Sequence, residues 1–248
     1  MKKATKTIRH ILTAVLIITS LGLFLTSCKK KNEDGNKDET NGLITKPEAK
    51  AAENNKSGGV YKGVLVGSTG YVKIILQGGQ KSVTVTMNGA TKTLAEVSFL
   101  PASWSSGQAI TEAKFSKDNW TVVFAVDADG GNPQITVDIP GHSNIVATIV
   151  KETSATQVMS FEGKITYNGN SANSAFNFVV SGELFVGNGR MPDESTTYSM
   201  FGQLTDNKTK ITGYINNATV SGTINGDTAS GTIVTPNATA TWTAKGTL

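Results

Sequence analysis

Residues that carry much of protein chemistry are scarce in this chain. It has one cysteine, Cys28, and two histidines, His10 and His142, among 248 residues. No Gly-x-Ser-x-Gly motif occurs, and a serine-histidine-aspartate arrangement needs an oriented histidine base. His142 instead follows Pro140 and Gly141, a sequence typical of a turn. We therefore expect an exposed turn histidine, no catalytic residues and a protein that is not an enzyme.

Helical periodicity is almost absent beyond residue 58, and a strand pattern takes its place. Residues 59 to 248 are rich in β-branched residues, glycine and asparagine, and alternate with a period of two. One alternating run meets Asn88-Gly89, a pair that favours hairpin turns because both central residues need a positive φ. The same dipeptide recurs at Asn168-Gly169, Asn188-Gly189 and Asn225-Gly226. The pattern predicts an all-β protein of antiparallel meander sheets that form a sandwich or barrel.

A nine-residue period runs through the C-terminal part of the chain. It places Gly213, Gly222 and Gly231 at equivalent positions, each within a Ser/Thr-Gly-x-Ile or similar unit. One strand and one short turn per unit would give this spacing in an up-and-down meander, with the glycines where strands bend or approach closely. A β-solenoid also has a period, but four varying units favour the meander.

A second regularity concerns the whole β-rich region. Tyr61-Lys62-Gly63 is echoed one hundred residues later by Phe161-Glu162-Gly163. The echo favours two β-rich halves, residues 59–153 and residues 154–248. One continuous β domain over the same residues is the alternative, since all-β domains often reach that size.

At the N-terminus, positively charged residues precede an apolar run. Lysines and Arg9 precede an apolar stretch that begins at Ile11 and ends in Leu25-Thr26-Ser27-Cys28. This is the order of a secretory signal; a transmembrane span is the alternative, but it needs about 20 mostly apolar residues. The last four residues resemble the lipobox of bacterial lipoprotein precursors. The resemblance implies a signal peptide at residues 1–27, lipidation of Cys28, and a cell-envelope protein anchored to the outer membrane, on either its periplasmic or its surface face.

The apparent basicity of the chain belongs to that signal peptide. Residues 1 to 27 hold four of the 23 basic residues and none of the 19 acidic ones, which leaves 19 of each sign. Nucleic acid is therefore not an expected partner, because its recognition normally needs a basic face. Processing would also leave too few Cys and His ligands for a zinc site. We expect no cofactor.

Residues 28–58 are polar, carry charges of both signs, and contain only Leu43-Ile44 as a bulky apolar pair. We expect a flexible tether, because such a stretch cannot bury enough surface to offset its ordering entropy. The segment that follows, residues 59 to 71, resembles uncharacterised secreted bacterial lipoproteins with β-barrel or β-sandwich bodies. That resemblance implies fold and location, and carries no known activity.

Two loops hold candidate site residues. Asp127 and Asp129 lie in a Gly-rich loop, and with Asp138 they could supply carboxylates to a calcium-type site; a plain hairpin turn is the alternative. Trp104 lies in a loop of small polar residues, where a ring could stack on a ligand or partner or fold back as a lid.

The sequence predicts only the class of function and not a specific ligand. We expect a non-enzymatic binding module that contacts the membrane through its lipid and meets an envelope protein or a glycan. An accessory subunit of an outer-membrane assembly is one alternative. A glycan hydrolase, with Glu162 and Glu183 as facing carboxylates, and a lipocalin-like carrier of an apolar ligand are the others. An apolar cavity inside the barrel would favour the carrier, and a packed interior with an exposed aromatic strip would favour the binder.

Overall fold

The structure is a computed structural model that describes residues 46–98, 100 and 103–248. The predicted signal peptide, Cys28 and most of the predicted tether lie outside these residues. No helix in the described ranges combines the length and the apolar character needed to cross a membrane.

A short 3-10 helix, Ala51–Glu53, precedes the strands. The strands of the first half are β1 (Gly59–Val66), β2 (Thr69–Leu76), β3 (Ser82–Met87), β4 (Ala90–Ser98), β5 (Ile110–Lys117), β6 (Trp120–Val126), β7 (Gln134–Asp138) and β8 (Val146–Glu152). Those of the second half are β9 (Val158–Thr166), β10 (Ala175–Ser181), β11 (Leu184–Arg190), β12 (Tyr198–Thr205), β13 (Lys210–Ile215), β14 (Ala218–Asn225), β15 (Thr228–Val234) and β16 (Thr239–Gly246). The all-β prediction is confirmed.

The strands form two eight-stranded antiparallel meanders. In the first sheet the order is β7-β6-β5-β4-β3-β2-β1-β8, and β7 and β8 lie near each other at its two edges. In the second, β9 pairs with both β10 and β16, which closes a barrel. Strand one of each set therefore pairs with strands two and eight of that set.

Three of the four Asn-Gly pairs lie at turns, although at Asn225-Gly226 only the glycine has a positive φ, 61°. Asn88-Gly89 joins β3 to β4 with φ angles of 48° and 79°, and Asn168-Gly169 adopts the same pair of angles to within a degree. The exception, Asn188-Gly189, lies inside β11. There the Asn188 side chain is buried and donates from Nδ2 to Thr148 Oγ1 at 2.6 Å, across the contact between the two meanders.

Strand β1 explains how the first sheet and the barrel contact each other. All eight of its residues are buried, because its two faces pack against different bodies. Tyr61 and Leu65 belong to the core of the first sheet. On the opposite face, Val64 packs with Val158 and Val179 of the barrel wall. Except at Lys62, β1 does not alternate between apolar and polar residues, as expected of a strand that is buried on both sides.

Buried charges hold the segment before the strands. Lys62 and Glu152 have fully buried side chains, and Lys62 Nζ lies 2.7 Å from Glu152 Oε2 and 3.0 Å from Glu48 Oε2. Glu152 Oε1 also accepts from the backbone N–H groups of Glu48, at 2.6 Å, and Ala49, at 3.2 Å. Its Oε2 accepts from the N–H of Val158 at 3.0 Å. One carboxylate thus joins the N-terminal segment, the first sheet and the start of the barrel.

Candidate binding surface

The barrel interior is filled by aromatic side chains. Phe176 stacks on Trp242 with ring centroids 4.5 Å apart, and Phe161 stacks on Phe178 at 4.9 Å. Phe185, 1% exposed, is the fifth ring of this core. The interior is therefore packed at its centre, because aromatic rings of this size occupy most of the space inside a small eight-stranded barrel.

Glycines on the inward faces make room for these rings. Gly202 and Gly213 are register partners on β12 and β13, and a Cβ on either would lie closer to Phe185 Cε1 than van der Waals contact allows. A Cβ on Gly222 would likewise lie too close to the ring of Trp242. Within the nine-residue glycine period, Gly213 and Gly222 thus lie where a strand backbone approaches an inner ring, whereas Gly231 lies against the backbone of Ser221 and Gly222. The meander prediction is confirmed.

The outer wall of β11, β12 and β13 carries an exposed apolar surface. We call its four residues the aromatic strip: Leu184, Val186, Phe201 and Tyr214. Phe201 is 61% exposed, Leu184 56% and Tyr214 54%, whereas Val186 is half-buried at the edge of the contact with the first sheet. These are outward residues of strands whose inward neighbours form the barrel core.

Strand register places the strip in one row. Val186 pairs with Phe201, and Phe201 pairs with Tyr214. The rings of Phe201 and Tyr214 have centroids 6.3 Å apart and planes tilted by 45°. Leu184 lies in the next row, opposite Gln203.

Size distinguishes this strip from scattered surface residues. At ~200 Å² for each aromatic side chain, the exposed fractions of Phe201 and Tyr214 leave on the order of 200 Å² of ring surface in water. Leu184 extends this area toward the few hundred Å² at which patches on monomers are often functional.

A separate apolar pocket lies at one mouth of the barrel. It encloses about 290 Å³ and is lined by Met191, Tyr198, Ile215 and Ile233 among others. It lies at the end of the barrel, outside the packed aromatic centre. Its size suits a small apolar ligand.

Trp104 lies against the first sheet. Its ring is partly buried and packs on the core of that sheet, and its Nε1 donates to Gln108 O at 3.3 Å. One face still has a cation within reach, since Lys81 Nζ is 5.7 Å from the ring centroid. The side chain is therefore folded back over the sheet, with part of the ring left accessible.

The three candidate carboxylates of the calcium-type loop have different surroundings. Asp127 Oδ2 accepts from Asn132 Nδ2 at 2.7 Å and Asp129 Oδ1 accepts from Gly131 N at 2.8 Å, both within the turn between β6 and β7. Asp138 is the last residue of β7. In the described part of the chain, no group of three or more His, Cys, Asp or Glu side chains is placed to hold a metal ion.

Glu162 and Glu183 lie in unlike environments. Glu162, on the outer wall of β9, is half-buried in a cleft beside the first sheet and accepts from Thr69 Oγ1 at 2.8 Å. Burial raises the pKa of the Glu162 carboxyl above its ordinary value, although the Thr69 hydrogen bond opposes that shift. Glu183 is exposed in the turn between β10 and β11 and does not line that cleft.

Sequence reasoning missed the partner of His142. Its Nδ1 lies 2.7 Å from Ser68 Oγ, a separation found between a nucleophile and its base. In a catalytic triad a carboxylate orients the histidine base. Among the hydrogen bonds and ion pairs of the described residues, none joins a carboxylate to the His142 ring. The pair is separated by 74 positions, so no local pattern could have indicated it.

The chain matches no family model, no curated protein and no solved structure.

Proposed function

We propose that this protein is a lipid-anchored, non-enzymatic binding module of the cell envelope, attached to the outer membrane through Cys28, and that the aromatic strip is where it contacts a partner protein. The observation that carries the proposal is the pairing of a filled barrel interior with Phe201 and Tyr214 left in water on the outer wall.

A partner protein suits the strip better than a glycan does. Leu184 and Val186 lie beside the two rings, so the surface mixes aliphatic and aromatic side chains. Aromatic side chains are enriched at the centres of protein interfaces, where they exclude water. The folded body, residues 59 to 248, has 12 basic and 13 acidic residues, so contact would depend on apolar burial more than on electrostatic steering.

The binding prediction is tested with Phe201→Ser/Tyr214→Ser and a matched control, Tyr167→Ser, which removes a ring that is 37% exposed just after β9. Full-length tagged protein is used to isolate a partner from detergent-solubilised envelope, and the purified pair is then titrated. We expect the double variant to lose about 2–4 kcal/mol of binding, roughly 30- to 1,000-fold in Kd, because two interfacial rings are removed.

The control variant should bind as the wild type does. Equal binding by the double variant would place the contact elsewhere. Capture of a glycan without any protein would contradict the proposed protein partner and indicate a glycan ligand instead. The anchor is tested separately: Cys28→Ala should move the protein from the membrane fraction to the soluble fraction.

The mouth pocket supports a second candidate, a carrier of a small apolar ligand. Its lining includes Tyr167 and Tyr198 at the rim and Ile215 and Ile233 within. Displacement of a fluorescent fatty acid by envelope lipid extracts tests this function. Tyr167→Ser should weaken that binding and Phe201→Ser should leave it unchanged; the reverse pattern would exclude the carrier.

A further inference from the structure

A polar cleft lies where the first sheet meets the barrel, away from the aromatic strip. It encloses about 650 Å³, within the range of small-molecule sites. One side is the turn after β1, with Ser68 and Thr69. The other side is the outer wall of the barrel. From that wall Glu162, Lys164, Arg190 and Lys245 line the cleft.

Positive charge is concentrated in this cleft. Three of its lining residues are cationic and one is acidic, in a body whose 12 basic and 13 acidic residues nearly balance overall. Lys245 is the register partner of Glu162, and Lys164 lies two residues further along β9 on the same outer face. Lys245 also faces Asp227, but at 4.0 Å and with 71% of its side chain exposed, a pairing too weak to neutralise it.

Arg190 is held in place before any ligand arrives. Its Nε donates to Asn173 O at 2.9 Å, and its Nη1 donates to Gly67 O at 3.1 Å. The first carbonyl belongs to the barrel half and the second to the turn after β1, so the guanidinium bridges the two sides of the cleft. A guanidinium has five N–H donors in a rigid plane. The hydrogen bonds to these two carbonyls fix its orientation and leave donors for a carboxylate or phosphate.

The cleft also offers groups that a simple anion would not use. Glu162 has one oxygen occupied by the Thr69 hydroxyl, and its negative charge repels an anion, so the carboxylate itself is not a partner for an anionic group. A carboxylate accepts hydrogen bonds from hydroxyl groups, and a side-chain amide both accepts from them and donates to them. Asn88 and Asn173 also line the cleft. A ligand with both a negative group and several hydroxyls would satisfy both sets of residues.

We propose that this cleft binds an acidic saccharide, a sugar that bears a carboxylate or a phosphate. The anionic group lies on Arg190, with Lys164 and Lys245 beside it. The sugar hydroxyls bond to Glu162 and the neighbouring amides. This site is independent of the proposed partner surface, so either can fail without the other.

The test is calorimetric titration of the purified full chain with trigalacturonate, glucose 6-phosphate, inorganic phosphate and the neutral sugars galactotriose and glucose. We expect at least one acidic sugar to bind ten-fold or more tightly than its neutral counterpart and than inorganic phosphate, with an affinity that falls as salt is raised. Comparison of trigalacturonate with glucose 6-phosphate shows whether the site prefers a carboxylate or a phosphate.

Three variants connect the binding to the cleft. Arg190→Gln should weaken it ten-fold or more, and Lys164→Gln/Lys245→Gln, which changes only exposed lysines, should weaken it several-fold without affecting folding. Lys117→Gln removes the same charge from an exposed position in the first sheet and should bind normally. Equal affinity for neutral sugars or for inorganic phosphate would overturn the proposal, as would unchanged binding by the double lysine variant.

Discussion

Replacing Lys62 by methionine removes the only cation in contact with the buried carboxylate of Glu152 among the ion pairs of the described residues. Both side chains have no exposed surface. Breaking a buried ion pair by removing one partner typically costs 3–5 kcal/mol, because the other charge stays in a poorly solvated site. Two structural details place the expected cost of Lys62→Met at the lower end of that range. Glu152 keeps three backbone N–H donors, and Glu48 keeps Lys73, 2.9 Å away.

The reciprocal change, Glu152→Leu, should be more damaging. It leaves the Lys62 ammonium with Glu48 as its remaining partner in the ion cluster, which consists of Glu48, Lys62, Lys73 and Glu152. It also removes the acceptor for the N–H groups of Glu48, Ala49 and Val158. Each buried N–H left without a partner costs about 1–3 kcal/mol. The total of more than about 5 kcal/mol approaches the whole stability of a typical domain.

Urea unfolding followed by tryptophan fluorescence measures these costs, with Lys245→Met as the exposed control, for which we expect less than about 1 kcal/mol. The expected order of destabilisation is Glu152→Leu, then Lys62→Met, then Lys245→Met. A cost below about 1 kcal/mol for Lys62→Met, or a milder effect of Glu152→Leu, would refute the reasoning.

Two further predictions concern the barrel. Gly213→Ala should cost about 1–3 kcal/mol, because its Cβ would lie too close to the carbonyl oxygen of Phe201 and to Phe185 Cε1. Thermal unfolding measures the cost; partial rescue by Phe185→Leu would assign part of it to the ring, whereas no rescue would assign it to the backbone contact. Glu162→Gln should raise Tm at pH 7, because the raised pKa of Glu162 means that the folded state binds the proton more tightly and loses stability as pH rises above 4.5. The gain should vanish at pH 4, and the exposed control Glu183→Gln should show no such pH dependence.

Much of the fold could be predicted because it is encoded locally. The glycine period at Gly213, Gly222 and Gly231 and the turn at Asn88-Gly89 depend on neighbours in sequence, and the structure has strands and a hairpin there. Asn188-Gly189 shows the limit of that reasoning, because a partner 40 positions away, Thr148, uses the side chain of Asn188.

The candidate site could be predicted much less well. Alternation along β12 assigns Met200 and Phe201 to opposite faces, but it does not indicate which face is inside. Only barrel closure decides that Met200 is buried and Phe201 is exposed. The cleft depends on residues from both halves, such as Gly67 and Arg190, which are 123 positions apart. No local pattern links them.

If Cys28 carries the proposed lipid, the ion cluster determines the length of chain between the bilayer and the folded body. Glu48 is fixed to Lys62 and Glu152, so the chain available between the proposed lipid on Cys28 and the body ends near Lys46. That interval holds 17 residues, which span at most about 60 Å when fully extended. Breaking the cluster and the two hydrogen bonds of Gln77, to Glu48 O and from Lys50 N, would free residues 46 to 50 as well and lengthen this connecting segment by about 17 Å. A membrane-bound partner that binds the aromatic strip at a fixed distance from the bilayer would then bind differently, even though the strip itself is unchanged.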